Sequence, residues 1–213
     1  MKGIWRYAMT ECRDALTRPG DAWAVIALFA LAAAIFPLAL PAGADLPPQV
    51  GRGVVWTSLL VASALSVRGI FDDDMQSGRT EQYVMLLSPA WAMCAIKAKA
   101  HWIRHFLPAA PAACAVAQIT GAETPLLWLC AAIWTAGAAC SCLCVATAAL
   151  LPPDKGATAA AILLPLYVPA LTFGSEASTG DVRALAALAG YALLIFPVCV
   201  GVAHFSLRAR MGE

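Results

Sequence analysis

Long apolar stretches separated by short polar links make up most of this chain, and they predict an all-α integral membrane protein. Each stretch is close to the length that a helix needs to cross the hydrocarbon core of a bilayer, about 20 residues. Unbroken apolar runs of that length favour helices over the strands of a membrane barrel. We predict one transmembrane domain over 1–213, with six spans at 22–41, 50–69, 102–120, 126–151, 157–174 and 183–206.

A polar segment interrupts this pattern between the second and third spans. Residues 70–101 form the longest link between spans, and three consecutive aspartates stand near its start. A charge in hydrocarbon costs several kcal/mol, so this segment must face water. Thr80 can cap a short helix that ends at Ser88 and Pro89. The link therefore predicts a short water-facing helix between two membrane spans.

We interpret this short helix as a coupling helix that docks on a soluble ATPase. The apolar residues 83–87 follow the charges and need a surface to bury against, which favours a protein partner over a plain solvated loop. The alternative of a metal site is weaker, because three adjacent carboxylates point in different directions on a helix. The predicted docking residues are Asp72, Asp73, Asp74, Arg79, Glu81, Gln82 and Tyr83.

Composition and charge agree with a membrane protein and give its orientation. Of the 213 residues, 61% are hydrophobic and 13% are charged, about half the charged share of a soluble domain. Twelve of the 14 lysines and arginines fall on one side of the predicted topology, and Arg52 and Arg183 fall on the other. Basic residues collect on the cytoplasmic side, so we expect both termini and the 70–101 link to lie in the cytoplasm.

The first 21 residues predict a cytoplasmic amphipathic helix. Trp5, Met9, Cys12 and Leu16 recur at helical spacing, while charged residues occupy the other faces. Such a helix lies in the membrane interface with its apolar stripe in the lipid. We predict an elbow helix that braces a permease, with a plain interfacial anchor as the alternative.

A basic face precedes the third span. Lys97, His101, Arg104 and His105 fall on one side of a helix. The two histidines could ligate a metal or haem iron, and the cations could hold the propionates. The alternative, which we favour, is a basic cluster that meets anionic lipid headgroups.

Other polar residues in the spans gave no second candidate site. Cys142 lies opposite Cys140 and Cys144 on a helix, so we interpret the three as packing residues and predict no metal site. Gln118 and Thr147 look isolated, and no polar route through the membrane is evident. The chain has no Gly-rich nucleotide-binding loop, which leaves ATP and Mg²⁺ to a partner. We expect a subunit without catalytic residues and without a bound cofactor of its own.

Several segments resemble the CcmB family, the membrane subunit of the haem-exporter ABC complex of cytochrome c maturation. The strongest match runs from Phe71 to Gln82 and continues in Leu86-Leu87-Ser88-Pro89. Gly53-Val54-Val55-Trp56, the segment from Lys97 to Trp102 and the segment from Leu163 to Pro169 are also similar. The resemblance covers essentially the whole chain.

The resemblance implies a multi-pass permease of the bacterial inner membrane with an ABC-2-like half-transporter fold. It implies a CcmA-type ATPase, CcmC- and CcmD-type membrane subunits and a CcmE-type haem chaperone as partners. The complex would use ATP to handle haem and to release the haem-loaded chaperone. Two copies of this chain per complex are the simplest closed assembly. Nucleic acid is not an expected partner, and the resemblance assigns no haem ligand here.

Two other classes of function stay open from the sequence. A secondary transporter driven by protons or sodium would need a carboxylate inside a span, and we find none. A membrane scaffold that holds its partners without moving them needs no such residue. The docking residues of the link distinguish a motor-driven permease from a secondary transporter, which needs no ATPase. A buried polar route would count against the scaffold, and the sequence does not exclude that alternative.

Overall fold

The computed structural model describes residues 2–17, 20–39, 46–67, 70–71, 91–151 and 155–211, most of which are helical. Those ranges contain eight helices and no strand, which confirms the all-α class. The helices are α1 (Lys2–Thr17), α2 (Gly20–Leu38), α3 (Pro48–Leu65), α4 (Trp91–Ile119), α5 (Leu126–Leu150), α6 (Gly156–Leu166), α7 (Val168–Ala177) and α8 (Val182–Met211). The predicted coupling helix lies outside the described residues.

Two of the described helices are long and apolar enough to cross a membrane alone. They are α5 and residues 182–209 of α8. The bent pairs α1 with α2 and α6 with α7 raise the number of candidates to four. The six predicted spans coincide with α2, α3, the second half of α4, α5, the α6–α7 pair and α8. The number of crossings itself stays a prediction.

The central helix of this bundle is α5. It packs against α4, α6, α7 and α8, and its buried residues are mostly alanine, glycine, cysteine and serine. Small side chains let helices approach closely, which matters in lipid because packing contacts hold helices together there. Gly137 shows how close this approach is, because a Cβ at that position would overlap the ring of Phe106 on α4.

The fifth predicted span is not one straight helix, because it breaks at Tyr167. The axes of α6 and α7 differ by 51°. Pro169 has no N–H to donate to the carbonyl of Pro165, so the helical ladder is interrupted there. In contrast, α4 continues through both Pro108 and Pro111. The break leaves Tyr167 1% exposed in the interior of the bundle.

The N-terminal helix α1 lies against α4. Its inner face buries Tyr7 and Ala15, whereas Trp5, Met9 and Leu16 are exposed. The predicted apolar stripe thus points away from the described part of the protein, where lipid would cover it. The position of α1 in the membrane interface stays a prediction.

Candidate functional site

Buried polar side chains meet where α3, α4, α5 and the α6–α7 break come together. We call them the polar cluster, and its members are Ser63, Ser66, His101, Ser141, Cys144 and Tyr167. Each member is at most 8% exposed. A buried hydroxyl or imidazole costs free energy unless it is hydrogen bonded. The hydrogen bonds among these residues therefore offset the cost of burying them and connect the helices that carry them.

His101 on α4 bridges two other helices through its ring. Its Nε2 lies 2.9 Å from Ser66 Oγ at the end of α3, and its Nδ1 lies 3.1 Å from Ser141 Oγ on α5. Ser66 donates its hydroxyl proton to the carbonyl of Ser63, 2.6 Å away, and so has only lone pairs left for His101. This pattern assigns the imidazole proton to Nε2 and makes Nδ1 the acceptor from Ser141. A neutral His101 satisfies both contacts.

The cluster continues from α3 to the broken span. The phenol oxygen of Tyr167 lies 3.2 Å from Ser63 Oγ and 2.9 Å from Cys144 Sγ. The sequence shows no obvious buried polar route, whereas the described bundle contains this cluster of hydrogen-bonded side chains. Its members come from four separate segments, so their proximity depends on how the helices pack. A polar route across the membrane stays untested.

The hydrogen bond between Ser66 and His101 also holds the two ends of the predicted cytoplasmic link together. Ser66 directly follows α3, and His101 lies within α4, so the two residues stand at opposite ends of that link. At the α3 end, Val67 and Phe71 are also buried, at 6% and 2% exposure. The ends of the link are thus anchored in the protein interior, although the docking residues between them lie outside the described ranges.

The predicted basic face forms on α4 but is largely covered. His101 and His105 are 5% and 6% exposed, and their ring centroids are 4.5 Å apart. Lys97 makes an ion pair with Glu11 of α1 at 3.1 Å. This pair joins the N-terminal helix to the helix that carries His101. Arg104 is half-buried on the same helix.

This arrangement favours hydrogen bonding over ligand binding at His101. Both ring nitrogens already contact serine hydroxyls, so a metal or haem iron would have to displace one of them. The Nδ1 atom of His105 is buried and has no hydrogen-bond partner among the described residues. The same ranges contain no group of three His, Cys, Asp or Glu side chains suited to a metal. A haem or metal role for the pair stays an untested prediction.

Five members of the polar cluster were missed in the sequence. Ser63 and Ser66 are three residues apart, as are Ser141 and Cys144, so each pair shares one face of an apolar helix. Polar residues repeated on one face of a membrane helix are the signal that could have found them. The fifth, Tyr167, stands between Pro165 and Pro169, in a segment that contributes only to the family resemblance in the sequence.

Comparison with known proteins assigns the chain to a family. The sequence profile described as CcmB protein matches residues 4–210. The chain belongs to the CcmB family. The match covers nearly the whole chain and, together with the apolar helices, identifies a membrane protein.

Relatives of similar length support this CcmB assignment. Heme exporter protein B of Pseudomonas aeruginosa is 30% identical, over 95% of this chain and 95% of that protein. The protein of the same name from Rhodobacter capsulatus is 31% identical over 78% of each chain. That from Paracoccus denitrificans is 29% identical over 92% of this chain and 94% of its own. The predicted family resemblance is confirmed.

Proposed function

We propose that this chain is the permease subunit of a haem-exporter ABC complex in the bacterial inner membrane. In this role it couples ATP hydrolysis by a separate CcmA-type ATPase to haem handling and to release of a haem-loaded CcmE-type chaperone. The names and full-length coverage of the relatives support the haem-exporter part. The observation that carries the coupling part is the bridge from Ser66 through His101 to Ser141.

The bridge offers a short mechanical path from the link to the centre of the bundle. A motor that pulls on the link moves the end of α3 together with the part of α4 around His101, because Ser66 and His101 are bonded. His101 transmits that displacement to α5 through Ser141. From α5 the polar cluster continues to Tyr167, at the break of the fifth predicted span. A broken helix is a natural place for the bundle to rearrange.

The remaining partners follow from the same role. ATP and Mg²⁺ belong to the ATPase subunit, and haem is cargo of the complex rather than a resident group of this chain. CcmC- and CcmD-type subunits would lie beside it in the membrane, and two copies would each hold one ATPase. The charge bias supports a cytoplasmic location for both termini, on the side of the ATPase.

The test compares two classes of variant in the co-purified complex. Glu81→Lys and Arg79→Glu reverse charges at the predicted docking contact, so we expect the ATPase subunit to be lost on purification. His101→Leu removes the bridge but leaves the docking residues in place. It should keep the ATPase subunit and ATP hydrolysis, while cytochrome c maturation falls at least tenfold. The matched control is Gln118→Leu, which replaces an exposed polar residue on the same helix and should behave as wild type.

Other results would redirect the interpretation. Full ATPase retention and full maturation in both docking variants would favour a scaffold or an ion-driven transporter. Full maturation in His101→Leu would remove the bridge from the coupling path. Loss of the ATPase subunit in His101→Leu would mean that the bridge supports the fold of the docking region. The level of each variant in the membrane, together with His101→Asn as a milder change, separates these cases from misfolding.

A further inference from the structure

The antiparallel pair of α4 and α5 carries a second contact far from the polar cluster. Cys114 Sγ on α4 lies 3.5 Å from Cys130 Sγ on α5. Both residues are half-buried, and both are free thiols. Sulfur atoms at this separation are in van der Waals contact. The two thiols therefore face each other across the helix interface.

The packing of the whole helix pair fixes this approach. His101 meets Ser141 at one end of the pair, and Phe106 packs on Gly137 closer to its middle. Continuing in the same register along both helices brings Cys114 opposite Cys130. Three contacts spread over about 20 Å of helix share one alignment, at 1.5 Å per residue. The sulfur contact thus depends on the backbone alignment as well as on side-chain conformation.

The thiol pair lies at the end of α4 and α5 that is remote from α1. Cys114 is five residues before the last residue of α4, and Cys130 is four residues after the first residue of α5. Both are therefore within about 8 Å of the helix ends, at 1.5 Å per residue. With the termini in the cytoplasm, this end faces the outside of the inner membrane. Thiols on that side meet an oxidising environment.

The other clustered cysteines are arranged differently. Cys140, Cys142 and Cys144 lie on one helix, and Cys142 points away from the other two. The thiol of Cys144 already contacts the phenol of Tyr167. Cys114 and Cys130 instead come from two helices and face each other, which is the geometry that a cross-link between helices requires.

We propose that Cys114 and Cys130 form a redox-active pair that closes to a reversible disulfide between α4 and α5. The oxidant is a disulfide. The thiolate of one cysteine attacks it and releases one thiol, which leaves a mixed disulfide. The second cysteine then attacks the cysteine sulfur of that mixed disulfide and releases the second thiol. Two electrons pass to the oxidant, and the two cysteine protons end on the two released thiols.

Closure starts from two sulfur atoms that are already in contact. A disulfide bond is about 2.05 Å long, so the sulfur atoms must approach by about 1.5 Å. The resulting bond would fix the outer ends of α4 and α5 relative to each other. This proposal can be tested independently of the coupling role, because disulfide formation can be measured without an ATPase or haem.

The test uses the full-length chain in membranes and one equivalent of 2,2′-dithiodipyridine, a lipid-soluble disulfide. The chain is then quenched in acid, denatured, alkylated with N-ethylmaleimide and weighed intact. We expect six alkylated cysteines instead of eight, with no pyridylthio adduct, and a return to eight after dithiothreitol. A wild-type chain that keeps eight alkylated cysteines, or that retains the adduct, would overturn the proposal.

Single substitutions identify the pair. Cys114→Ser and Cys130→Ser each remove one partner, so neither variant should lose two thiols to an internal disulfide. Cys199→Ser is the control, because this buried cysteine on α8 should leave the reaction intact and reduce the count from seven to five. Loss of two thiols in Cys114→Ser would show that a different pair reacts, and would also overturn the proposal.

Discussion

The helices α5 and α8 are both long and apolar enough to cross a membrane, but they occupy different environments. In the most apolar part of each helix, 72% of α5 is buried inside the protein, against 17% of α8. The buried side chains of α5 include Ala132, Ala136 and Gly137. Those exposed on α8 include Leu193 and Phe205. Apolarity identifies both as candidate spans and does not tell which one forms the centre.

The sizes of the side chains explain the difference. Small residues on α5 let α4 and α8 approach its backbone, and their contacts replace contacts with lipid. Large residues on α8 are exposed on the surface of the described bundle, where lipid tails or a neighbouring membrane subunit would contact them. Only one face of α8 packs inward, with Leu188, Ala203 and Leu207 buried. The polar cluster lies beside α5, where the surrounding helices supply hydrogen-bond partners.

The largest test of this contrast is truncation of one large side chain on each helix. Ile133 on α5 is fully buried, and Leu193 on α8 is 76% exposed. Ile133→Ala leaves a cavity and should lower the free energy of unfolding by about 2–5 kcal/mol. Leu193→Ala should change it by less than about 0.5 kcal/mol. Reversible unfolding in detergent measures both, and equal losses would contradict a buried α5 beside an exposed α8.

Glycine substitutions give an intermediate effect. A Cβ at Gly137 overlaps Phe106, so Gly137→Ala should destabilise the protein by about 1–3 kcal/mol through overpacking. Gly201 on α8 has no atom within 4 Å of an added Cβ. Gly201→Ala should therefore be neutral or stabilising, by up to about 1 kcal/mol from helix propensity. Apparent melting temperatures of the two variants should move in opposite directions, and a stabilising Gly137→Ala would contradict the close packing of α4 on α5.

The smallest effect separates two tyrosine hydroxyls. Tyr167 contacts Cys144 of α5 and Ser63 of α3, whereas Tyr191 on α8 donates to the carbonyl of Leu166 at 2.6 Å. Tyr167→Phe removes the phenol contact from two buried partners. It should cost about 0.6–1.7 kcal/mol, between the average and the largest values measured for hydrogen bonds between membrane helices. Tyr191→Phe breaks one bond at the edge of the bundle and should cost about 0.6 kcal/mol or less. A larger loss in Tyr191→Phe would place the more important contact on α8.

Local patterns were enough to predict the helices. The predicted spans 126–151 and 183–206 agree with α5 and α8 within a few residues, because length and apolarity are properties of a continuous segment. The helix predicted within the first 21 residues is present as α1 for the same reason. The prolines were less informative, since α4 tolerates two of them while the fifth predicted span breaks at its pair.

The all-α class, the positions of most helices, the membrane character and the family resemblance follow from the amino-acid sequence. Packing between the helices decides which apolar helix is central, which side chains bond the ring of His101, and which thiol Cys114 contacts. These two sets of properties depend on interactions of different range. Helix formation and membrane affinity depend on neighbouring residues along the chain. Hydrogen bonds and thiol contacts between helices depend on register, which is set only when the helices pack.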